Sequence, residues 1–287
     1  MKKADLHIHT TISDGRLTPA QIVREASLRN LGIISITDHD TVDGIPEAKK
    51  IADEVGIDII PGVEITVDFN GKECHVLMYG FQYDNPRIRK FLKEQQKIRV
   101  YRAQKIVGNL KKLGFDISFD EVLARAGLSA SIARPHIASV MVEKGYAGNT
   151  REVFLRYLGN NRPAYFKCEY RSVADVAELA QDAGGVLMLA HPGVYYSEKD
   201  LQVMLDAGID GVEYVHPSHP YELQKKYHNW ADKHDLLISG GSDYHGFRYD
   251  DECNFGIVAV SLREAQRIRD AAFQRQDAVI VTDENNV

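Results

Sequence analysis

The chain has 287 residues, of which 44% are hydrophobic and 26% charged, so its length and composition suit one large globular α/β domain with or without a small insert. A net charge of −6 disfavours a duplex DNA partner, although bound metal ions would still attract small anions to a pocket. Three scattered cysteines give no disulfide framework, and we find neither a signal peptide nor an apolar run of membrane-spanning length. We therefore expect a cytoplasmic protein without membrane partners.

The first third of the chain alternates strand and helix signals. Residues 4–8 are a strand candidate, and Thr18 and Pro19 are the N-cap and first residue of a helix that Gly32 ends. The β-branched run at residues 33–37 predicts a strand buried on both faces. The next predicted elements are a helix over 44–55, a strand over 57–61, and two strands over 63–69 and 75–80 joined by an Asn70-Gly71 turn.

Residues 86–160 differ from the rest, because they carry helical patterns dense in Lys, Arg, Gln and Glu. Within them, residues 88–113 form one helix or two. The strand–helix alternation then returns, with helices over 173–183, 198–207, 221–234 and 261–274 and strands over 185–190, 211–215, 237–239 and 256–260. Alternation of this kind predicts a parallel sheet with outer helices, and about seven strands suit a closed or nearly closed barrel. We predict a catalytic barrel of residues 1–84 and 165–287 and a helical insertion domain of residues 85–164 over its active site.

Six of the 11 histidines fall at or just after predicted strand ends: His7, His9, His39, His75, His191 and His245. Nearby carboxylates are Asp14, Asp38, Asp40, Glu64 and Asp243. Residues two apart on a strand share a face, so His7 and His9 project together. Singly, each feature has an ordinary interpretation: a hydrogen-bonded histidine pair, a loop histidine at position 75, or a helix cap at Asp38. The joint pattern favours divalent metal ions, since imidazole and carboxylate suit Zn²⁺, Mn²⁺ and Fe²⁺.

Five sequence blocks resemble the signatures of the PHP (polymerase and histidinol phosphatase) superfamily. They are DLHIHTTISDG (5–15), ITDHDT (36–41), PGVEIT (61–66), AHPG (190–193) and GSDYH (241–245), and they occur in family order across nearly the whole chain. The resemblance implies a distorted (β/α)7 barrel with a trinuclear metal centre on the face where the strands end. It also implies a metal-dependent phosphoesterase that uses two to three divalent ions (Mn, Fe or Zn).

Carried over residue by residue, the resemblance assigns nine metal ligands. The first ion takes His7, His9, Glu64 and Asp243; Glu64 bridges to the second, completed by His75 and His191; the third takes Asp14, His39 and His245. All nine positions are filled. Glu64 and Asp243 would carry catalysis by holding the ions that bind the phosphoryl group.

Three further blocks narrow the resemblance within the family: TTISDGRLTP (10–19), SIARPHIA (131–138) and GVEYVHPSH (211–219). They are similar to a stand-alone bacterial branch that removes the 3′-phosphate of 3′,5′-bisphosphonucleotides such as pAp and also trims short 5′-phosphorylated RNA. We expect a small phosphorylated nucleotide as substrate, with short single-stranded RNA as a further one. The alternatives are a histidinol-phosphate phosphatase and an AMP-binding nucleotide sensor without turnover.

A second phosphate on the substrate needs donors from the protein, and Arg is the best planar partner for phosphate. Arg134 and His136 are the first candidates, followed by Lys167; the alternative for Arg134 is a helix-start residue paired with a nearby Glu. His216 and His219 follow a predicted strand and would contact the phosphate, or in the case of His216 donate a proton to the leaving oxygen. The alternative is a pair of loop histidines fixed by neighbouring prolines.

Overall fold

The computed structural model describes residues 2–247 and 249–284. The first part contains β1 (Lys3–Ile8), α1 (Pro19–Leu28), β2 (Leu31–Ile36), α2 (Ile45–Val55), β3 (Asp58–Ile59), β4 (Gly62–Phe69) and β5 (Lys72–Tyr79). The middle part contains α3 (Pro86–Lys112), α4 (Phe119–Ala126), α5 (Arg134–Glu143), α6 (Thr150–Val153) and a π-helical turn (Phe154–Leu158). The last part contains α7 (Val173–Asp182), β6 (Val186–Leu189), α8 (Glu198–Asp206), β7 (Gly211–Val215), α9 (Tyr221–Lys233), β8 (Leu237–Gly240), α10 (Tyr249–Asn254), β9 (Val260–Ser261) and α11 (Leu262–Glu284).

Two sheets join into one ring of strands. Their orders are β3-β2-β1-β9 and β4-β5-β6-β7-β8. At one joint the Glu64 amide donates to the Thr37 carbonyl at 3.1 Å, and at the other the His9 amide donates to the Tyr244 carbonyl at 2.9 Å. With β3 and β9 as short flanking strands, the ring itself has the seven strands of the distorted barrel that the resemblance implies.

The distortion comes from β5, which is antiparallel to both β4 and β6. It returns from β4 through Asn70 and Gly71, whose φ angles of 52° and 77° make the predicted tight turn. Because β5 runs in the opposite direction, its first half reaches the face where the other strands end. His75, which we expected at a strand end, therefore lies inside β5 opposite Thr66.

Local signals explain most of the helix ends. Thr18 caps α1 in a capping box with Gln21, as predicted. Gly32 does not end this helix but lies inside β2; the chain turns at Asn30, whose φ of 58° suits an Asn side chain. Two predicted strands are shorter than expected, since only Asp58–Ile59 and Val260–Ser261 pair.

The helices α3 to α6 and the π-helical turn enclose a hydrophobic core of their own, which includes Ile106, Leu110, Ile137, Met141, Val153 and Leu158. The stretch at 88–113 is one helix, and α3 runs for 27 residues. Its first half packs on the barrel through Ile88 and Leu92, while its second half belongs to the helical core. The domain boundaries at residues 84 and 164 stay a prediction. No helix among the described residues is both long and apolar enough to cross a membrane.

The joint between β2 and β4 leaves no space for a side chain at Gly62, where a Cβ would lie 2.1 Å from Ser35 Oγ and 2.8 Å from Thr37 Cγ2. We expect Gly62→Ala to lower the free energy of unfolding, measured in urea, by about 1–3 kcal/mol. The control is Gly108→Ala inside α3, where a Cβ meets no described atom within 4 Å. Removing a helix-interior glycine should stabilise the protein by up to about 1 kcal/mol. Equal stability of the two variants would contradict the close approach.

Candidate metal centre

His7 and His9 meet two carboxylates in the interior of the ring. Both rings are fully buried, and their Nε2 atoms lie 3.2 Å apart. Glu64 Oε2 lies 3.3 Å from His7 Nε2 and 3.2 Å from His9 Nε2. Asp243 Oδ1 lies 3.4 Å and 3.2 Å from the same two atoms. The side chains from β1, β4 and the loop after β8 therefore form one cluster of possible ligand atoms.

Glu64 occupies the middle of a larger cluster. Its Oε1 lies 2.7 Å from His75 Nδ1 and 2.9 Å from His191 Nε2, and its Oε2 lies 3.1 Å from His39 Nδ1. With His7 and His9, five imidazoles from different parts of the ring surround this one carboxylate. Two oxygens facing different sets of imidazoles are the geometry that a carboxylate needs to bridge two cations.

Asp14, on the loop between β1 and α1, completes the cluster. Its Oδ1 lies 3.4 Å from His245 Nε2, and its Oδ2 lies 4.0 Å from His39 Nε2. Three overlapping groups offer ligand atoms within 4.8 Å of one another: His9, Asp14, His39 and His245; His7, His9 and Asp243; His39, Glu64 and His75. His39 belongs to two of these groups, whereas the resemblance placed it only with Asp14 and His245.

The charge and hydrogen bonding of the cluster fit divalent cations. Burial alone would raise the pKa of Glu64, but His39, His75 and His7 hold that pKa well below its usual range. The pKa values of Asp14 and Asp243 are also held well below their usual range by neighbouring histidines, although burial alone would raise them. All three carboxylates therefore stay ionised. Among the described residues, His9 Nδ1 and Asp14 Oδ1 are buried without a hydrogen-bond partner and lie 3.7 Å apart. A shared cation would satisfy both atoms, and histidine with carboxylate suits Mn²⁺, Fe²⁺ or Zn²⁺.

Buried aspartates outside the cluster hold its loops in place. Asp38 accepts hydrogen bonds from the Thr10 amide at 2.7 Å and the Thr10 hydroxyl at 2.6 Å, and so fixes the loop that carries Asp14. Asp5 accepts from the Ser242 amide at 2.9 Å and ties β1 to the loop that carries Asp243. Burial raises the pKa of Asp5 to about 6. Asp38 therefore acts as a loop anchor and not as the helix cap of its ordinary interpretation, since the helix that follows, α2, has no side-chain cap.

A model of the PHP domain matches residues 5–156 of the chain. The chain belongs to the PHP family. It is 34% identical over 249 residues to the 5′-3′ exoribonuclease of Haemophilus influenzae, covering 85% of this chain and 90% of that one. It is 32% identical over 250 residues to the 3′,5′-nucleoside bisphosphate phosphatase of Chromobacterium violaceum, covering 85% and 88%.

A solved structure from Bifidobacterium adolescentis, described as a metal-dependent phosphoesterase, superposes with a TM-score of 0.86 and 30% identity. It covers 94% of this chain and 96% of that chain. These comparisons confirm the family and the distorted barrel that the sequence blocks indicated. This PHP protein is a metal-dependent phosphoesterase, and divalent ions are its cofactors.

The position of Arg134 is compatible with both of its interpretations. It is the first residue of α5, and its Nη2 lies 3.4 Å from Glu73 Oε1. It also lines a cavity of about 150 Å³ that reaches His39, His75 and His245. His136 turns its Nδ1 toward the Ala133 amide at 3.1 Å and so caps α5. Its ring lines a second cavity, beside Asp14.

The remaining substrate candidates differ in position. His216 lies beside the cluster, with Nε2 3.4 Å from Asp243 Oδ2 and Nδ1 2.7 Å from Ser218 Oγ. His219 donates from Nδ1 to the Tyr214 carbonyl and accepts at Nε2 from the Gly193 amide, both at 3.0 Å. Neither nitrogen is left for a substrate, which supports the loop-histidine alternative.

Lys167 is not brought to the cluster. It is exposed and donates to the Gly71 carbonyl at the turn between β4 and β5. The described residues that line the cavity beside Arg134 do not include it. The expectation that Lys167 contacts the substrate therefore loses its geometric basis, because that expectation depended on Lys167 lying where the helical insert rejoins the barrel mouth.

Three residues near the cluster were missed by the sequence analysis. Glu213 in β7 is fully buried, and its Oε1 lies 2.9 Å from His7 Nδ1. Arg99 pairs with Asp40, and Arg102 pairs with Glu73 through two bonds of 2.9 and 2.7 Å. A charged residue within the strand-like run GVEYV was a usable signal for Glu213. The two arginines resembled ordinary charges on a polar helix.

Metal binding should stabilise the fold, because ions that bind only the folded state add about 2.7 kcal/mol at a free concentration 100-fold above Kd. We expect Mn²⁺ to raise the thermal midpoint of metal-stripped protein, measured by differential scanning fluorimetry. Glu64→Ala should abolish the phosphatase activity. It should also remove most of the Mn²⁺-induced rise in the thermal midpoint and most of the bound metal measured by elemental analysis.

The control for this experiment is Asp175→Ala, which removes the exposed carboxylate that pairs with the N-cap Ser172 in the capping box of α7. It should lower stability slightly and keep the response to Mn²⁺. A Glu64→Ala enzyme that is active and free of metal would contradict the assignment of Glu64.

Proposed function

We propose that this PHP enzyme removes the 3′-phosphate from a 3′,5′-bisphosphonucleotide such as pAp. One observation carries the proposal: a single cavity has two walls that suit two anionic groups. One wall is formed by residues of the histidine and carboxylate cluster, namely Asp14, His39, His75 and His245. The lining of the same cavity also includes three arginines from the helical region, here called the arginine wall: Arg99, Arg102 and Arg134.

The arginine wall has unused capacity for an anion. Arg102 and Arg134 share one carboxylate, Glu73, which leaves one positive charge in excess. Although burial alone would raise it, these two guanidinium groups lower the pKa of Glu73 to about 2. Arg102 Nε is buried and has no hydrogen-bond partner among the described residues. A phosphate group supplies both the charge and the acceptors that these guanidinium groups lack.

The nine cluster residues would hold two or three divalent ions, which supply Lewis-acid charge for the phosphoryl oxygens and lower the pKa of water. Glu64 and Asp243 would be shared ligands of these ions, and they lie at the two joints between the sheets, β2 with β4 and β8 with β1. Arg102 and Arg134 bind the phosphate that is not cleaved and so orient the nucleotide. His216, beside Asp243, is placed to give a proton to the leaving 3′-oxygen. In this proposal, the insertion domain of residues 85–164 covers the site and selects the substrate.

Short 5′-phosphorylated RNA is a second candidate substrate. A cavity of about 390 Å³ extends from Asp243 and His245 past the rings of Phe154 and Phe247. Phe247 is 48% exposed, so its ring is accessible to a base. Stacking on aromatic rings is the usual way in which single strands bind without a strongly basic surface. The relative from Haemophilus influenzae, named a 5′-3′ exoribonuclease, agrees with this candidate.

A parallel turnover assay with Mn²⁺ tests the choice of substrate. We expect the highest kcat/KM on pAp and a lower value on a 5′-phosphorylated RNA trimer, whose 3′-linked phosphate is a diester. AMP and histidinol phosphate should give the lowest values, because a single phosphate cannot occupy both parts of the cavity. Equal rates on pAp and histidinol phosphate would contradict the bisphosphate proposal. Tight AMP binding with no turnover of any compound would favour the sensor alternative.

A separate prediction concerns Arg102 in the arginine wall. Arg102→Gln should raise KM for pAp about 10- to 100-fold, since a hydrogen bond to a charged group contributes about 1.5–3 kcal/mol. Hydrolysis of a small monophosphate such as p-nitrophenyl phosphate should change much less. The control is Arg269→Gln, which removes an exposed ion pair with Asp58. An equal loss of activity on both substrates would place Arg102 outside the second-phosphate site.

A further inference from the structure

Glu213 is a buried carboxylate for which the proposed mechanism has no use. It lies in β7, with no exposed surface, directly behind the metal cluster. Each of its oxygens has a different partner. Oε1 lies 2.9 Å from His7 Nδ1, and Oε2 accepts a hydrogen bond from the His191 amide at 2.7 Å.

The contact with His7 determines which nitrogen of that ring faces the cluster with a lone pair. A carboxylate at Nδ1 requires the proton there, so Nε2 of the neutral ring is unprotonated. That Nε2 lies 3.3 Å from Glu64 Oε2 and 3.4 Å from Asp243 Oδ1. Glu213 therefore keeps His7 in the one tautomer that can bind a cation between those carboxylates.

The contact with His191 holds an unusual backbone conformation. Among the described residues with positive φ other than glycine, all are Asn or Asp except His191, whose φ is 26°. Residues other than glycine seldom adopt a positive φ, so the conformation of His191 needs support from its surroundings. The bond from the His191 amide to Glu213 supplies that support and leaves the ring of His191 2.9 Å from Glu64 Oε1.

We propose that Glu213 is a positioning residue that orients two metal ligands at once, His7 through its ring and His191 through its backbone. The inference rests on the proposed function in one respect, namely that these two histidines bind ions. It assigns Glu213 a role that an amide cannot fill. Glutamine has only one acceptor oxygen, so a Gln that accepts from the His191 amide turns its NH2 group toward His7. That group can only donate to His7 Nδ1, which moves the His7 proton to Nε2 and removes the lone pair that would bind a cation.

The test compares Glu213→Gln with a matched variant at the other end of the same strand. Asp210 precedes β7 and also accepts from a backbone amide of β6, that of Leu187 at 2.7 Å, but its remaining partner is Arg275 and not a cluster residue. Asp210→Asn should therefore lower stability without touching the metal centre. The Mn²⁺ dissociation constant of each metal-stripped protein is measured by competition with a fluorescent chelator.

We expect Glu213→Gln to raise the Mn²⁺ dissociation constant about 10- to 100-fold, the usual cost of losing a partner behind a metal-bound histidine. Asp210→Asn should have the same Mn²⁺ dissociation constant as the protein without substitutions. An unchanged constant in Glu213→Gln, with a loss of thermal stability alone, would overturn the inference. If the unchanged protein itself binds no Mn²⁺, the proposed function fails, and the two failures are distinguishable.

A measurement on the unchanged protein covers the case in which Glu213→Gln does not fold. Nitrogen NMR of the ¹⁵N-histidine-labelled, Zn²⁺-loaded protein reports the tautomer of each ring. We expect the His7 proton on Nδ1, and the His7 signals are assigned by comparison with His7→Gln. A proton on Nε2 of His7 would overturn the inference without any variant of Glu213.

Discussion

The contact between Glu64 and five imidazoles is the constraint on which the rest of the structure depends. The same residue closes the barrel, because its amide and carbonyl bond to Thr37 and Asp40 on the segment after β2. The cluster can therefore exist only when the ring of strands is complete. Burying so many titratable groups is costly unless each has a partner of opposite charge. Cations in the centre lower that cost, so metal binding and barrel closure support each other.

The two halves of the site have different origins in the fold. The barrel supplies the cluster, whose residues come from several strands and from the loops that follow them. The helix α3 supplies Arg99 and Arg102, and its length of 27 residues connects the barrel core to the core of the helical region. Groups that bind the reacting phosphate are thus held by the most constrained part of the protein. In the proposed function, the groups that select the rest of the substrate are Arg102, on this shared helix, and Arg134, on α5.

Much of this site could be predicted from the sequence, because the barrel rule places chemistry at strand ends and the motifs carry their ligands with them. His7, His9 and Glu64 are examples. The Asn70-Gly71 turn indicated that the chain reverses, but not that β5 begins at Lys72, so His75 was expected at a strand end and lies inside the strand. Nor could the sequence show which polar residues lie behind the ligands. Glu213 acts through contacts between residues distant in sequence, which no local pattern encodes.

Sequence patterns also failed to identify which residues line the cavity. His219 and Lys167 were expected at the substrate because of their neighbours in sequence, yet their polar atoms bond to backbone groups nearby. Arg102 was overlooked because a charged residue on a polar helix is usually solvated. Only the folded chain shows that Arg102 is buried and lines the same cavity as four residues of the cluster.

The bond between Asp5 and the Ser242 amide joins residues that are 237 positions apart in the chain. It connects the strand that carries the first histidine pair to the loop that carries Asp243. During synthesis at about 5–20 residues per second, the two partners emerge tens of seconds apart. Throughout that interval the nascent chain exposes histidines without the carboxylate that completes their set. The metal centre is therefore a late product of translation, and an interrupted chain that lacks β8 and the loop after it would carry most of the ligands yet no assembled site.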